Sequence, residues 1–199
     1  MSVTADPSAR TDAELLGAAA GGDEEAFVEI YLRHRVRVYR FAFRMTGSPE
    51  TARDVTHNCF ASLLEAPHRY VQHRAGLGTY LCAAARNQSL RHARHTWRER
   101  AMSGSVDLQP SRGPSPLELL LAEERGRIVR DALLALAPLH REALILAEYD
   151  ELDLTTIAEI VGAEVGAVKV RLHRARQKLR RALEGYMSRG VVTAKTRTR

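Results

Sequence analysis

Residues 153–181 read DLTTIAEIVGAEVGAVKVRLHRARQKLRR, and the spacing in this stretch decides the fold. Asp153 stands where a helix N-cap is needed, since its carboxylate accepts from the free backbone N–H groups of a first turn. Ile157, Ala158, Ile160 and Val161 give the helix that follows an apolar face. Gly162 ends it where a left-handed residue is needed. Val165, Val168, Leu172, Ala175 and Leu179 then recur at three- and four-residue steps, which is the buried stripe of a second helix. The other faces of that helix carry Lys169, Arg171, Arg174, Arg176, Lys178, Arg180 and Arg181, with no acid among them.

A short helix, a glycine turn and a basic second helix form a helix-turn-helix, whose second helix enters the DNA major groove. A solvated face on an ordinary helical hairpin is the plainer account of a charge run. Here the run sits on the second helix of a correctly spaced pair, and that placement favours DNA. The 199-residue chain has a net charge of +6, so this one segment accounts for its basic character and favours a polyanionic partner.

Outside the segment, the apolar content of 45% suffices for a core. Neither Cys59 nor Cys82 belongs to a CxxC pair, and both fall on apolar helix faces, so they read as reduced core cysteines rather than a disulfide or zinc framework. The opening MSVTADPSARTDAELL lacks a basic start followed by an apolar run, which argues against a signal peptide. No apolar run approaches membrane-spanning length, so membrane insertion is not expected and a cytoplasmic protein is. His92 and His95 lie three apart with His68 and His73 nearby. No carboxylate or cysteine partner occurs at ligand spacing, so no metal site is expected.

Working toward the N-terminus, β-type alternation is nearly absent and the chain reads as all-α, with two small helical domains joined by a flexible linker. Residues 1–11 read as a disordered N-terminus and 12–98 as a first domain. Within it, helices are expected from Asp12, from Asp23 to about Met45, from Ser48-Pro49 to Pro67, and from about Thr79 to Arg98. Asn87 lies mid-helix, where propensity disfavours it, and is a candidate for polar recognition. Arg91, Arg94, Arg98 and Arg100 flank Trp97, a pattern suited to stacking on unpaired bases. Residues 99–116, rich in Ser, Gly and Pro, read as the linker. Residues 117–186 form a second domain ending in the helix-turn-helix, and 187–199 read as a basic tail.

Three stretches carry a family resemblance: AFVEIYLRHRVRVYRFAFRMTGSPETARDVTHNCF at 26–60, TYLCAAARNQSLRHAR at 79–94, and LLALAPLHREALILAEYDELDLTTIAEIVGAEVGAVKVRLHRARQKLRRAL at 133–183. In this order they strongly resemble a sigma factor of the extracytoplasmic-function (ECF) group of the sigma-70 family. The resemblance implies a subunit of transcription initiation with no catalytic centre, no cofactor and no small-molecule substrate. Its implied partners are core RNA polymerase, promoter DNA and an anti-sigma factor.

By that resemblance, Lys169, Val170, His173 and Arg174 would face bases of the promoter -35 element, with Arg171 and Arg176 on its backbone. Lys or Arg can bond guanine O6 and N7, and an apolar side chain can touch a thymine methyl. The loop 68–78 with Tyr70, together with Asn87, would capture a base turned out of the -10 element. Arg86, Arg91 and Arg94 would hold that strand's backbone. Asp54, Val55, His57, Asn58 and Phe60, on the helix 50–64, would bind core polymerase. The competing reading is a stand-alone helix-turn-helix regulator that binds DNA without polymerase; the first domain argues against it.

Overall fold

The computed structural model describes the backbone of residues 10–71, 76–103 and 117–195, and side-chain surroundings over 10–71, 76–99 and 126–184. Among these residues every regular element is helical. The helices are α1 (Asp12–Ala20), α2 (Glu24–Thr46), α3 (Pro49–Glu65), α4 (Leu77–Ser103), α5 (Leu117–Leu134), α6 (Pro138–Glu148), α7 (Leu154–Val161) and α8 (Val165–Lys195), with a 3-10 turn at Pro67–Arg69.

The helix starts follow from local chemistry. Thr11 and Glu14 form a reciprocal capping box, the Glu14 N–H donating to Thr11 Oγ1 at 3.3 Å and the Thr11 N–H to Glu14 Oε2 at 2.7 Å. Asp23 caps α2 through the Ala26 N–H, and Ser48 caps α3 ahead of Pro49. Asp153 accepts from the N–H groups of Thr155 and Thr156 at 2.8 and 2.9 Å. Gly162 closes α7 at φ 61° and Gly47 closes α2 at φ 76°, both in the left-handed region that a side chain disfavours.

Helix α2 is the axis of the first module, with α1, α3 and α4 packed round it. It buries Ala26, Ile30, Val38, Phe41, Ala42 and Met45; α3 adds Ala52, Val55, Cys59, Phe60 and Leu63; α4 adds Leu77, Leu81, Cys82 and Ala85. The Tyr31 ring meets Phe60 edge-on at 4.9 Å. Cys59 and Cys82 are both free and buried. Burial pushes the Cys59 thiol up to about 12, with Cys82 adding a smaller push, and burial likewise raises Cys82 to about 11. Thiolate is the reactive form. Native protein at pH 8 is therefore expected to resist iodoacetamide at both cysteines and to react at both once unfolded in guanidinium, as mass spectrometry of the intact chain would show.

The second module packs α8 against α6, α7 and α5 through Val168, Leu172 and Ala175. It does not stand apart from the first. Ile145 and Leu146 of α6, and Ile157, Ala158, Ile160 and Val161 of α7, belong to the same apolar cluster as the cores of α2 and α4. The end of α2 seats on the α5–α6 corner. A Cβ on Gly47 would lie 2.5 Å from Leu134 Cδ1, so any side chain there would have to displace the Leu134 methyl groups. The Arg44 guanidinium lies 4.0 Å above the Tyr149 ring, and Arg130 lies 5.3 Å above Phe43. Arg37 is 3.8 Å from the covered Asp150. Burial raises the Asp150 carboxyl pKa, while Arg37 and Arg44 pull it the other way.

Several expected boundaries differ. Arg10 and Thr11 are not a disordered lead-in: Arg10 pairs with Asp23 at 3.2 Å, and Thr11 caps α1. Helix α4 starts at Leu77 and reaches Ser103, past the expected linker start at 99. Helix α8 continues to Lys195, where 187–199 was read as a tail, because no proline interrupts it. Residues 1–9, 104–116 and 196–199, and His73 with the rest of 72–75, lie outside the described residues.

Candidate nucleic-acid interface

The caps and the glycine turn fix where α8 points, and its buried stripe fixes which face it shows. With Val168, Leu172 and Ala175 inward, the 3.6-residue period turns Lys169, Val170, His173 and Arg174 outward, and all four are exposed. Val170 is 49% exposed, and it sits in the middle of that cationic row. The Gln177 amide donates to the His173 ring at 3.0 Å and holds it along the same face. The cations of α8 act on the helix beneath: burial first, then Lys178, Arg174 and Arg171, hold the His140 pKa below its ordinary value. The face thus combines donors, one apolar contact and a positive field, which is what base edges and phosphates require.

Two other residues assigned to this helix's DNA contacts are already engaged. Arg176 donates from Nε and Nη2 to Glu148 Oε1 at 2.8 and 2.6 Å, although both side chains stay largely exposed. Arg171 is partly covered, with Nη1 3.5 Å from Glu142 Oε1.

The expected single-strand site is divided. Asn87, Arg91 and Arg94 lie exposed on α4, and Trp97 beyond them is 38% exposed. Tyr70 packs edge-on against Tyr80 at 5.5 Å, and burial raises its hydroxyl pKa, with Asp12 adding to the rise. Arg69, Tyr70, Val71, Thr79 and Tyr80 line a cavity of about 450 Å³, but Glu159 and Ile160 of α7 form part of its wall. Arg86 is not open. Its Nε donates to Glu142 Oε2 at 2.9 Å and its Nη2 to Glu142 Oε1 at 3.1 Å, while Nη1 donates to Asn87 Oδ1 at 3.1 Å.

The surface assigned to polymerase needs a correction. Val55 is 1% and Phe60 2% exposed, so both support α3 from beneath and cannot touch a partner. Matching the whole helix to a function selected both of its faces, whereas a helix buries one. Asp54, His57 and Asn58 are exposed. His57 and Arg53 border a groove with Tyr31, Arg35, Val36 and Tyr39 of α2. Sequence reasoning missed this α2 contribution, although the exposed Val28, Leu32 and Val36 lie at four-residue steps that a pattern search can find.

The sequence matches the family descriptions "Sigma-70 region 2" over residues 30–99 and "Sigma-70, region 4" over 126–179. The RNA polymerase sigma factor CarQ of Myxococcus xanthus is 31% identical, over 81% of this chain and 91% of its own length. The ECF RNA polymerase sigma factor SigE of Mycolicibacterium smegmatis is 28% identical, over 85% of this chain and 67% of its own. Among solved structures, the sigma factor RpoE of Bartonella quintana, crystallised with the anti-sigma factor NepR, superposes with a TM-score of 0.62 at 22% identity, covering 79% of this chain and 96% of that one. The last likeness concerns the fold.

Proposed function

We propose, from the premise that this chain belongs to the ECF group of sigma-70 RNA polymerase sigma factors, that it directs core polymerase to promoters by contacting DNA at two places. The exposed row Lys169, Val170, His173 and Arg174 is the observation that carries this reading. In it, α8 enters the major groove of the -35 element, and its outward cations set the register on phosphates. Asn87, Arg91, Arg94 and Trp97 face the separated strand of the -10 element. Asp54, His57 and Asn58 of α3, with the neighbouring groove of α2, meet the polymerase. Relatives of this fold have been solved with anti-sigma factors, which supports such a partner for this chain. Its place of work is the cytoplasm, with the polymerase. Its own residues bind and position; the chemistry of RNA synthesis belongs to the polymerase.

Run-off transcription with bacterial core enzyme on genomic fragments tests the reading, with co-migration of chain and core on a sizing column as the binding control. Specific transcripts are expected only when the chain is added. DNA binding without co-migration would favour a stand-alone regulator. In the same assay Arg174→Ala is expected to weaken promoter binding by about 1–3 kcal/mol and to relax preference at one base pair, as for a bidentate contact to guanine. Unchanged preference would remove Arg174 from the base-reading set.

A further inference from the structure

The contact between the two modules covers residues that the proposed DNA-bound state needs. Glu142 of α6 is fully buried, yet it is a carboxylate in an apolar helix. Its two oxygens accept from Nε and Nη2 of Arg86, a residue of the first module assigned to strand backbone. Arg171, assigned to duplex backbone, lies 3.5 Å from Oε1 of the same carboxylate. A guanidinium presents this forked pair of donors to a carboxylate or to a phosphate alike. Two residues of α7, Glu159 and Ile160, wall the cavity of Tyr70 and Tyr80. One packing arrangement thus covers both the cation and the aromatic pair assigned to the opened strand.

We propose that Glu142 is an intramolecular latch that takes the place of a DNA phosphate, holding the free protein closed with Arg86 and the Tyr70–Tyr80 cavity withheld from single-stranded DNA. This rests on the promoter-binding reading for the identity of the displaced ligand, but the closure itself does not. In the closed state the carboxylate offsets the repulsion between Arg86 and Arg171. Without its charge nothing offsets the repulsion between the two guanidinium groups that share this carboxylate, and the modules separate. A strand must then compete with Glu142 for Arg86. Its apparent affinity is reduced by the fraction of molecules that are open.

The test compares wild type with Glu142→Gln, which keeps the shape and one acceptor while removing the charge. Two readouts are used: the radius of gyration from small-angle X-ray scattering, and the anisotropy of a fluorescein-labelled single-stranded oligonucleotide. Glu142→Gln is expected to expand the molecule and to bind the oligonucleotide at least about five-fold more tightly, as release of a mostly closed equilibrium requires. Asp150→Asn removes another acid of the contact and is expected to act in the same direction more weakly. It also provides a second variant should Glu142→Gln fold poorly. Unchanged scattering in both folded variants overturns the latch, whatever the DNA result. Expansion with unchanged oligonucleotide affinity overturns the claim that the latch withholds the strand site. Expansion with no oligonucleotide binding by any protein supports the closure and counts instead against the promoter-binding reading.

Discussion

Arg141→Ala is expected to lower unfolding stability by about 3–5 kcal/mol, as for several buried carbonyls that lose their donor at about 1–3 kcal/mol each. Arg141 is 2% exposed. Its Nε donates to the Leu133 carbonyl and its Nη2 to the Leu136 carbonyl, each at 3.0 Å, and it also donates to the carbonyls of Leu134 and Met45. Leu133 and Leu134 close α5, and Met45 lies in the last turn of α2. The guanidinium therefore sits at two negative helix ends and serves carbonyls of the last turns of α2 and α5, together with that of Leu136 between α5 and α6. Alanine would take the donor away from the Leu134, Leu136 and Met45 carbonyls, while Leu133 keeps the Leu136 N–H at 3.0 Å; the cost is about 1–3 kcal/mol for each acceptor that water cannot reach. It would also remove the hydrogen bond to Met45 that ties the second module to the first. Urea unfolding followed by circular dichroism checks this. Beyond the lowered midpoint, the transition is expected to broaden or split as the modules lose coupling, which would appear as a smaller apparent m-value. Arg141→Lys should recover only part of the loss, because an ammonium cannot span the same set of acceptors. A loss below about 1 kcal/mol for the alanine variant would mean that the carbonyls find water, contrary to the buried arrangement described.

Phe41→Ala is expected to cost a similar amount, about 3–5 kcal/mol, by a different route. Phe41 is fully buried toward the C-terminal end of α2, among the large side chains of the first module's core. Removing the ring forfeits its transfer free energy and leaves a cavity that the neighbouring helices cannot close without losing their own contacts. Leu32→Ala on the same helix is the control. Leu32 is 54% exposed, and its change is expected to stay within about 0.5 kcal/mol. The pair separates core packing from helix propensity, because both substitutions place alanine in the interior of one helix. Equal losses for the two would contradict the assignment of the core face. Leu32→Ala is a stability control only, since that residue lies on the outer face of α2 that extends the proposed polymerase surface.

Much of the scaffold was legible because it rests on short-range rules. The Asp153 cap, the Gly162 turn and the stripe from Val165 to Leu179 each involve residues within a turn or two of one another. The same holds for the Ser48-Pro49 start of α3. The errors cluster where a second surface intervenes. Val55 and Phe60 were assigned to a partner because a family likeness covers a helix without distinguishing its faces. In α6 every residue from Arg141 to Leu146 is buried. One face meets the second module and the other meets the first. A signal for this existed: the run from Ala143 to Ala147 is apolar all round the helix, which marks a helix covered on all sides. Arg141 and Glu142 within such a helix are then charges that need partners from elsewhere.

The order of residues alone determined that α7 and α8 form a capped pair and that Lys169, Val170, His173 and Arg174 share one face, because helical periodicity and end-capping act over a few residues. Tertiary structure alone decided which cations are free. Arg86 looks like any exposed arginine in the sequence, but the acid that holds it lies 56 residues away and is brought there by packing of the two modules. A side chain's charge is written in its identity. Whether that charge is available to a ligand depends on what the fold has already placed against it.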